Sequence, residues 1–179
     1  IVREQIRRGL INILNRDPNS IILGEDIKDP YGGAFKITEG LSKKFKKRII
    51  QTPISEGGFV GMATGMTFYG INPVVEIMFN DFLTLTTDIL INSASKFPEL
   101  SKENKKDGNI LIRTPGGGGR GYGPIHSQNL EKLFFGWPNI EIFAPNIVVD
   151  PNLTLSEAYF SQKKVKIFIE DKLDYTRNI

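Results

Sequence analysis

From end to end, this chain alternates between segments with a helical apolar period and short, continuous runs of β-branched residues. No other feature constrains its fold as much. Ile6, Leu10, Ile13 and Leu14 fall on one stripe of a helix predicted over 1–15. Asp17-Pro18-Asn19 stops that helix, and Ser20-Ile21-Ile22-Leu23-Gly24 follows as a strand. The same reading predicts helices over 38–46, 54–69, 81–97, 129–135 and 150–161, and strands over 48–51, 74–78, 110–113, 140–143 and 165–170. Strands that are apolar without strict alternation are buried on both faces. The fold class that follows is α/β, a three-layer sandwich with a mostly parallel central sheet. Right-handed crossovers are expected, but strand order is not legible. Ligands of such sheets sit beyond the carboxyl ends of the strands. Attention therefore falls on Gly24-Glu25-Asp26, Ser55-Glu56, the segment 79–82 and the segment 114–127. The polar, lysine-rich stretch 98–109 reads as a loop.

Composition removes several classes of chemistry. With no cysteine and a single histidine, thiolate nucleophiles, disulfides and histidine-rich metal sites are excluded. The net charge of +3 is spread in short clusters such as Lys43-Lys44, without the basic stripe and stacking aromatics of a nucleic-acid binder. No apolar run approaches a membrane span, and Ile1-Val2-Arg3-Glu4 does not form a signal peptide, so the cytoplasm is the expected location. At 179 residues one core is expected, a single domain over 1–179.

The densest local signal is Thr52-Pro53-Ile54-Ser55-Glu56 running into a helix with glycines at 57, 61 and 65. Glu56 either complements the helix dipole, with Ser55 or Glu56 as a cap, or presents a carboxyl group to a ligand at the helix N-terminus. Each glycine costs a helix about 1 kcal/mol against alanine, so the stripe needs a compensating close contact. Phe82, after Phe79-Asn80-Asp81, is either a core aromatic in a first helical turn or a stacking platform. Of Met78 and Phe79, adjacent and on opposite sides, one can face a ligand. His126 is either a surface histidine or a proton-handling group. Gly116-Gly117-Gly118-Gly119 lacks the Gly-Lys-Ser/Thr ending of a phosphate loop and reads instead as a mobile loop at a site entrance.

Thr38-Glu39-Gly40-Leu41, Arg48-Ile49-Ile50, Thr52-Pro53-Ile54-Ser55-Glu56, Gly70-Ile71-Asn72-Pro73-Val74-Val75-Glu76, Ile91-Asn92-Ser93-Ala94-Ser95-Lys96 and His126-Ser127-Gln128 occur in one order along the chain. Together they resemble the pyrimidine-binding domain of the β subunit of the E1 component of thiamine-diphosphate-dependent 2-oxo acid dehydrogenases. The resemblance implies an enzyme subunit of the transketolase pyrimidine-binding fold that takes part in oxidative decarboxylation (of pyruvate, a branched-chain 2-oxo acid or acetoin) and acyl transfer to lipoamide. It implies that Glu56 hydrogen-bonds N1′ of the cofactor's aminopyrimidine, supporting removal of the thiazolium C2 proton, and that a half-buried setting raises its pKa. Phe82, with Met78, would pack on the pyrimidine. His126 would assist substrate binding and acyl transfer. The glycine helix would pack on partner subunits.

The sequence also departs from that family. The Gly-Asp-Gly…Asn motif that holds the diphosphate through Mg²⁺ is absent; Lys106-Asp107-Gly108-Asn109 has the wrong spacing. The resemblance thus implies half a site, completed by an E1 α-like partner that carries the metal, with self-association and a lipoyl-bearing E2 as further partners. The C-terminal domain of the family is expected to be absent. Where several members hold potassium near an Asp-Asn-Asn-Pro-like turn, this chain has Gln162-Lys163-Lys164-Val165. Two readings stay open: from another class, a non-catalytic assembly domain of the same fold, and within the same superfamily, a transketolase-like or synthase-like member.

Overall fold

The computed structural model describes residues 1–96 and 108–178. Six parallel strands form one sheet in the order β2-β1-β3-β4-β6-β5. They are β1 (Ser20–Glu25), β2 (Ile49–Thr52), β3 (Asn72–Glu76), β4 (Ile110–Gly116), β5 (Ile140–Phe143) and β6 (Val165–Asp171). Helix α1 (Val2–Arg16) precedes the first strand, and α2 (Leu41–Lys44), α3 (Glu56–Thr67) and α4 (Pro151–Phe160) follow between strands.

Period-two alternation places successive strand residues on opposite faces, and both faces are covered. On one side Ile22, Val74, Leu111 and Phe168 meet Ile6, Leu10, Ile13 and Leu14 of α1 and Leu155, Ala158 and Tyr159 of α4. On the other, Leu23, Val75, Ile112 and Ile167 meet Phe59, Val60 and Ala63 of α3 with Leu83, Leu90 and Ile91. Strand order reverses between β1 and β3, as it does where open α/β sheets bind ligands. The two strands approach closely there because Gly24 has no side chain: a Cβ would lie 2.6 Å from the Glu76 carbonyl oxygen.

Three expected helices are corrected. The expected helix over 38–46 is one turn, Leu41–Lys44, and that over 129–135 is a 3₁₀ turn at Glu131–Leu133. Over 81–97 the chain forms a 3₁₀ segment, Asn80–Thr86, and then a π-helical segment, Ile89–Ala94. Hydroxyls of Thr84 and Thr86 donate to the carbonyls of Asp81 and Leu83 at 3.0 and 2.9 Å, and Thr87 reaches Leu83 at 3.2 Å. Such back-bonding competes with the regular helical ladder. Phe97, Lys106, Asp107 and most of the expected loop over 98–109 lie outside the described residues.

Candidate functional site

The expected site residues all lie past the carboxyl ends of the strands. Glu56 opens α3 directly after β2 and is buried. Ser55, expected as a possible cap, makes no side-chain capping bond. No donor among the described residues reaches the Glu56 carboxylate, which lies at a helix N-terminus, where the dipole favours negative charge. Beside it, Glu25 at the end of β1 is buried, and its Oε1 has no hydrogen-bond partner among the described residues. Burial, then the neighbouring Glu56 and Asp26 carboxylates, push the Glu25 carboxyl up to about 7, against the pull of the Ser55 backbone amide. Glu25 lies outside the Thr52–Glu56 motif. Thr52, paired in register with Glu25, also buries an unpartnered hydroxyl.

A second cluster gathers beyond β3, β4 and β6. The His126 ring packs edge-on against Phe79 (4.7 Å between centroids) and Phe82 (5.4 Å). Tyr122 reaches Phe79 at 5.6 Å. Lys172, immediately after β6 and completely buried, donates from Nζ to the His126 carbonyl oxygen and lies 5.0 Å from the Phe79 ring centroid and 5.7 Å from that of Tyr122. Its pKa is lowered, first by burial; Asp81 and Asp171 oppose that effect and Arg120 adds to it.

The loop before His126 turns repeatedly through left-handed backbone at Gly117, Gly119, Gly121 and Gly123. It is nonetheless tethered. Ser127 Oγ donates to the Gly123 carbonyl at 2.7 Å, and Gln128 Nε2 donates to Asp81 Oδ1 at 2.9 Å. The side chains of Asn80 and Asn129 close over Gly116, where a Cβ would lie within 3.0 Å of both. Asn80 buries an amide with no partner among the described residues, as do Asp81 Oδ2 and the Thr114 hydroxyl.

The structure thus brings Phe82 and His126 together. No hydrogen bond or ring contact among the described residues joins Glu56 to that pair. The 3₁₀ segment bearing Phe82 does pack on the start of α3, since a Cβ on Gly57 would lie 3.2 Å from the Leu85 carbonyl oxygen. Among the described residues, the same stripe meets Ile89 at Gly61 and none within 4 Å at Gly65. Of the adjacent pair, Phe79 enters the His126 cluster, whereas Met78 is half-buried. The sequence points to the segments that hold Glu25 and Phe79 without giving either residue a role, and does not point to Lys172. All three follow or end strands, which was the one available signal.

The family model for the transketolase pyrimidine-binding domain matches residues 2–177. The chain belongs to this family. Pyruvate dehydrogenase E1 component β subunits are among its relatives: 37% identical over 98% of the chain in Chaetosphaeridium globosum, 36% over 92% in Staurastrum punctulatum, and 32% over 97% for the mitochondrial subunit of Saccharomyces cerevisiae. The chain spans about half the length of these relatives, 53%, 50% and 47% respectively. A split-gene transketolase described as an inactive β4 tetramer shares the fold, with a TM-score of 0.69 and 21% identity over 94% of this chain and 50% of that one.

Proposed function

We propose that this domain is the pyrimidine-binding half of a thiamine-diphosphate site in an E1 β-like subunit of a 2-oxo acid dehydrogenase. The observation that carries the reading is Glu56, a residue buried at a helix N-terminus whose carboxylate meets no donor among the described residues. Such a group suits a ligand nitrogen that shares a proton. The residues fit the pyrimidine end of the cofactor: Glu56 would hold N1′, and Phe82, half-buried, would pack against the ring, with Met78 nearby. When bound, the cofactor supplies an electron sink for decarboxylation of a 2-oxo acid. Glu25 shares its neighbourhood with Glu56, and its raised pKa of about 7 lets it take up or release a proton near neutrality. His126, held by Phe79, Phe82 and Lys172, would orient substrate and manage protons at the acyl-transfer step.

Partner dependence belongs to the same proposal. The sequence has no Gly-Asp-Gly…Asn motif, so the metal and diphosphate would be held by an E1 α-like chain, with acyl transfer to a lipoyl-bearing E2. The related pyruvate dehydrogenase β subunits favour pyruvate as the 2-oxo acid. The test is Glu56→Gln in the reconstituted complex, read as exchange of the cofactor's C2 proton. Glutamine keeps the shape but cannot share a proton in this way, so exchange is expected to fall by several orders of magnitude with folding unaffected. Near-normal exchange would remove Glu56 from the role.

A further inference from the structure

Tyr122, which packs on Phe79 beside His126, also lines a second cleft. Phe35 lies 5.8 Å from Phe79 and 6.4 Å from Tyr122. On the other side of Phe35 and Tyr122 is an open cleft of about 180 Å³, whose lining includes Arg3, Lys36, Arg120 and Thr176. Its charge is one-sided: three cationic side chains line it and no carboxylate does. None of the three is in an ion pair among the described residues. The Nε of Arg3 is buried with no acceptor. The Arg120 guanidinium lies 5.8 Å from the Phe35 ring centroid. The Lys36 ammonium donates only to the Tyr31 carbonyl and lies 4.7 Å from that ring.

Arg7, one helical turn along α1, shows the contrast. Its guanidinium donates to the carbonyls of Ile37 and Lys36 and reaches Glu39 at 3.5 Å, so it fastens the loop after β1 to the helix. Arg3 makes no such bond among the described residues. Half-buried cations gathered without a counter-charge are costly, because each loses hydration and repels the others. The arrangement becomes favourable when an anion enters.

We propose that this cleft binds the phosphate group of a small dissolved molecule. A monocarboxylate offsets one charge, whereas a phosphate carries nearly two and has acceptors for two guanidinium forks and an ammonium. The volume is below the range for a whole drug-sized ligand, which suits a phosphate group or a small phosphate ester. The site is separate from the Glu56 region and does not depend on the cofactor reading.

Calorimetric titration of the full-length protein with inorganic phosphate tests the site, with acetate as the comparison anion. Saturable phosphate binding at least tenfold tighter than acetate is expected. Arg3→Gln and Arg120→Gln should each weaken it about tenfold or more, as loss of a charge-assisted hydrogen bond implies. Lys163→Gln, on an exposed turn outside the cleft, should leave it unchanged. Arg3→Lys, which keeps the charge, guards against misreading a folding defect and should retain part of the affinity. Absence of saturable heat, equal affinity for acetate, or an equal loss in Lys163→Gln would overturn the assignment.

Discussion

Lys172 shows at the scale of one residue how the site is held. An ammonium with no exposure has given up its hydration, and here one carbonyl bond and two aromatic faces compensate for it. A methionine of similar length would keep the packing and remove the charge, a replacement that is often neutral for stability. Lys172→Met is therefore expected to unfold within about 1 kcal/mol of the parent, while the His126 carbonyl loses its donor. Because the chain has one histidine, its imidazole proton resonances report the change directly. They should move as the ring shifts against Phe79 and Phe82; an unchanged His126 spectrum would show that Lys172 does not position it. Glu25 offers a second residue-scale test, through pH. Its folded pKa of about 7 lies above the ordinary 4.5, so the folded state holds a proton that the unfolded state releases. Its contribution to stability is thus present below pH 4.5 and is lost as pH rises to 7. Glu25→Gln removes that loss. Its stability relative to the parent should rise by about 2 kcal/mol between pH 4.5 and 8 in denaturant titrations, and parallel profiles would contradict the shift.

At the scale of elements, the strands carry a buried ion network as well as the core. Arg113 on β4 donates to both oxygens of Glu170 on β6, each at 2.7 Å, and to Glu76 on β3 at 2.7 Å. Tyr175 closes the network with a 2.6 Å bond to Glu170. Arg113→Met would strand two buried carboxylates, so a loss of about 3–5 kcal/mol is expected in denaturant unfolding; a loss under 1 kcal/mol would mean that the carboxylates take up protons freely. The strands were legible because β-branched runs bounded by turns have few alternatives. Ile140–Phe143 falls where expected, and β1 extends only to Glu25. The segment after Asn80 was not legible as 3₁₀ and π. Its apolar spacing fits a helix, while hydroxyl bonds from Thr84, Thr86 and Thr87 redirect the backbone. Part of the candidate site was likewise out of reach. Glu56, Phe82 and His126 lie in recognisable motifs, but Lys172 meets the His126 carbonyl across 46 positions of chain, and only the β4–β6 pairing brings them together.

At the scale of the whole molecule, the chain carries a six-stranded sheet and spans about half the length of the relatives it matches. Contacts to a pyrimidine ring alone offer one buried carboxylate and aromatic packing. The diphosphate, with its charge and metal, needs ligands that the sequence does not supply in motif form. Much of the affinity for such a cofactor comes from charge-assisted bonds and metal coordination at that end. The stripe of Gly57, Gly61 and Gly65 is consistent with completion by a second chain. Among the described residues its first position is the closely packed one, and none approaches Gly65 within 4 Å. The isolated chain is therefore expected to bind thiamine diphosphate and Mg²⁺ weakly or not at all in a calorimetric titration. Mixing with a chain that carries the Gly-Asp-Gly…Asn motif should restore tight binding, and Gly61→Leu, which leaves the fold intact but crowds the stripe, should impair that restoration. Micromolar or tighter binding by this chain alone would show that its own residues hold the diphosphate, and the half-site reading would fail.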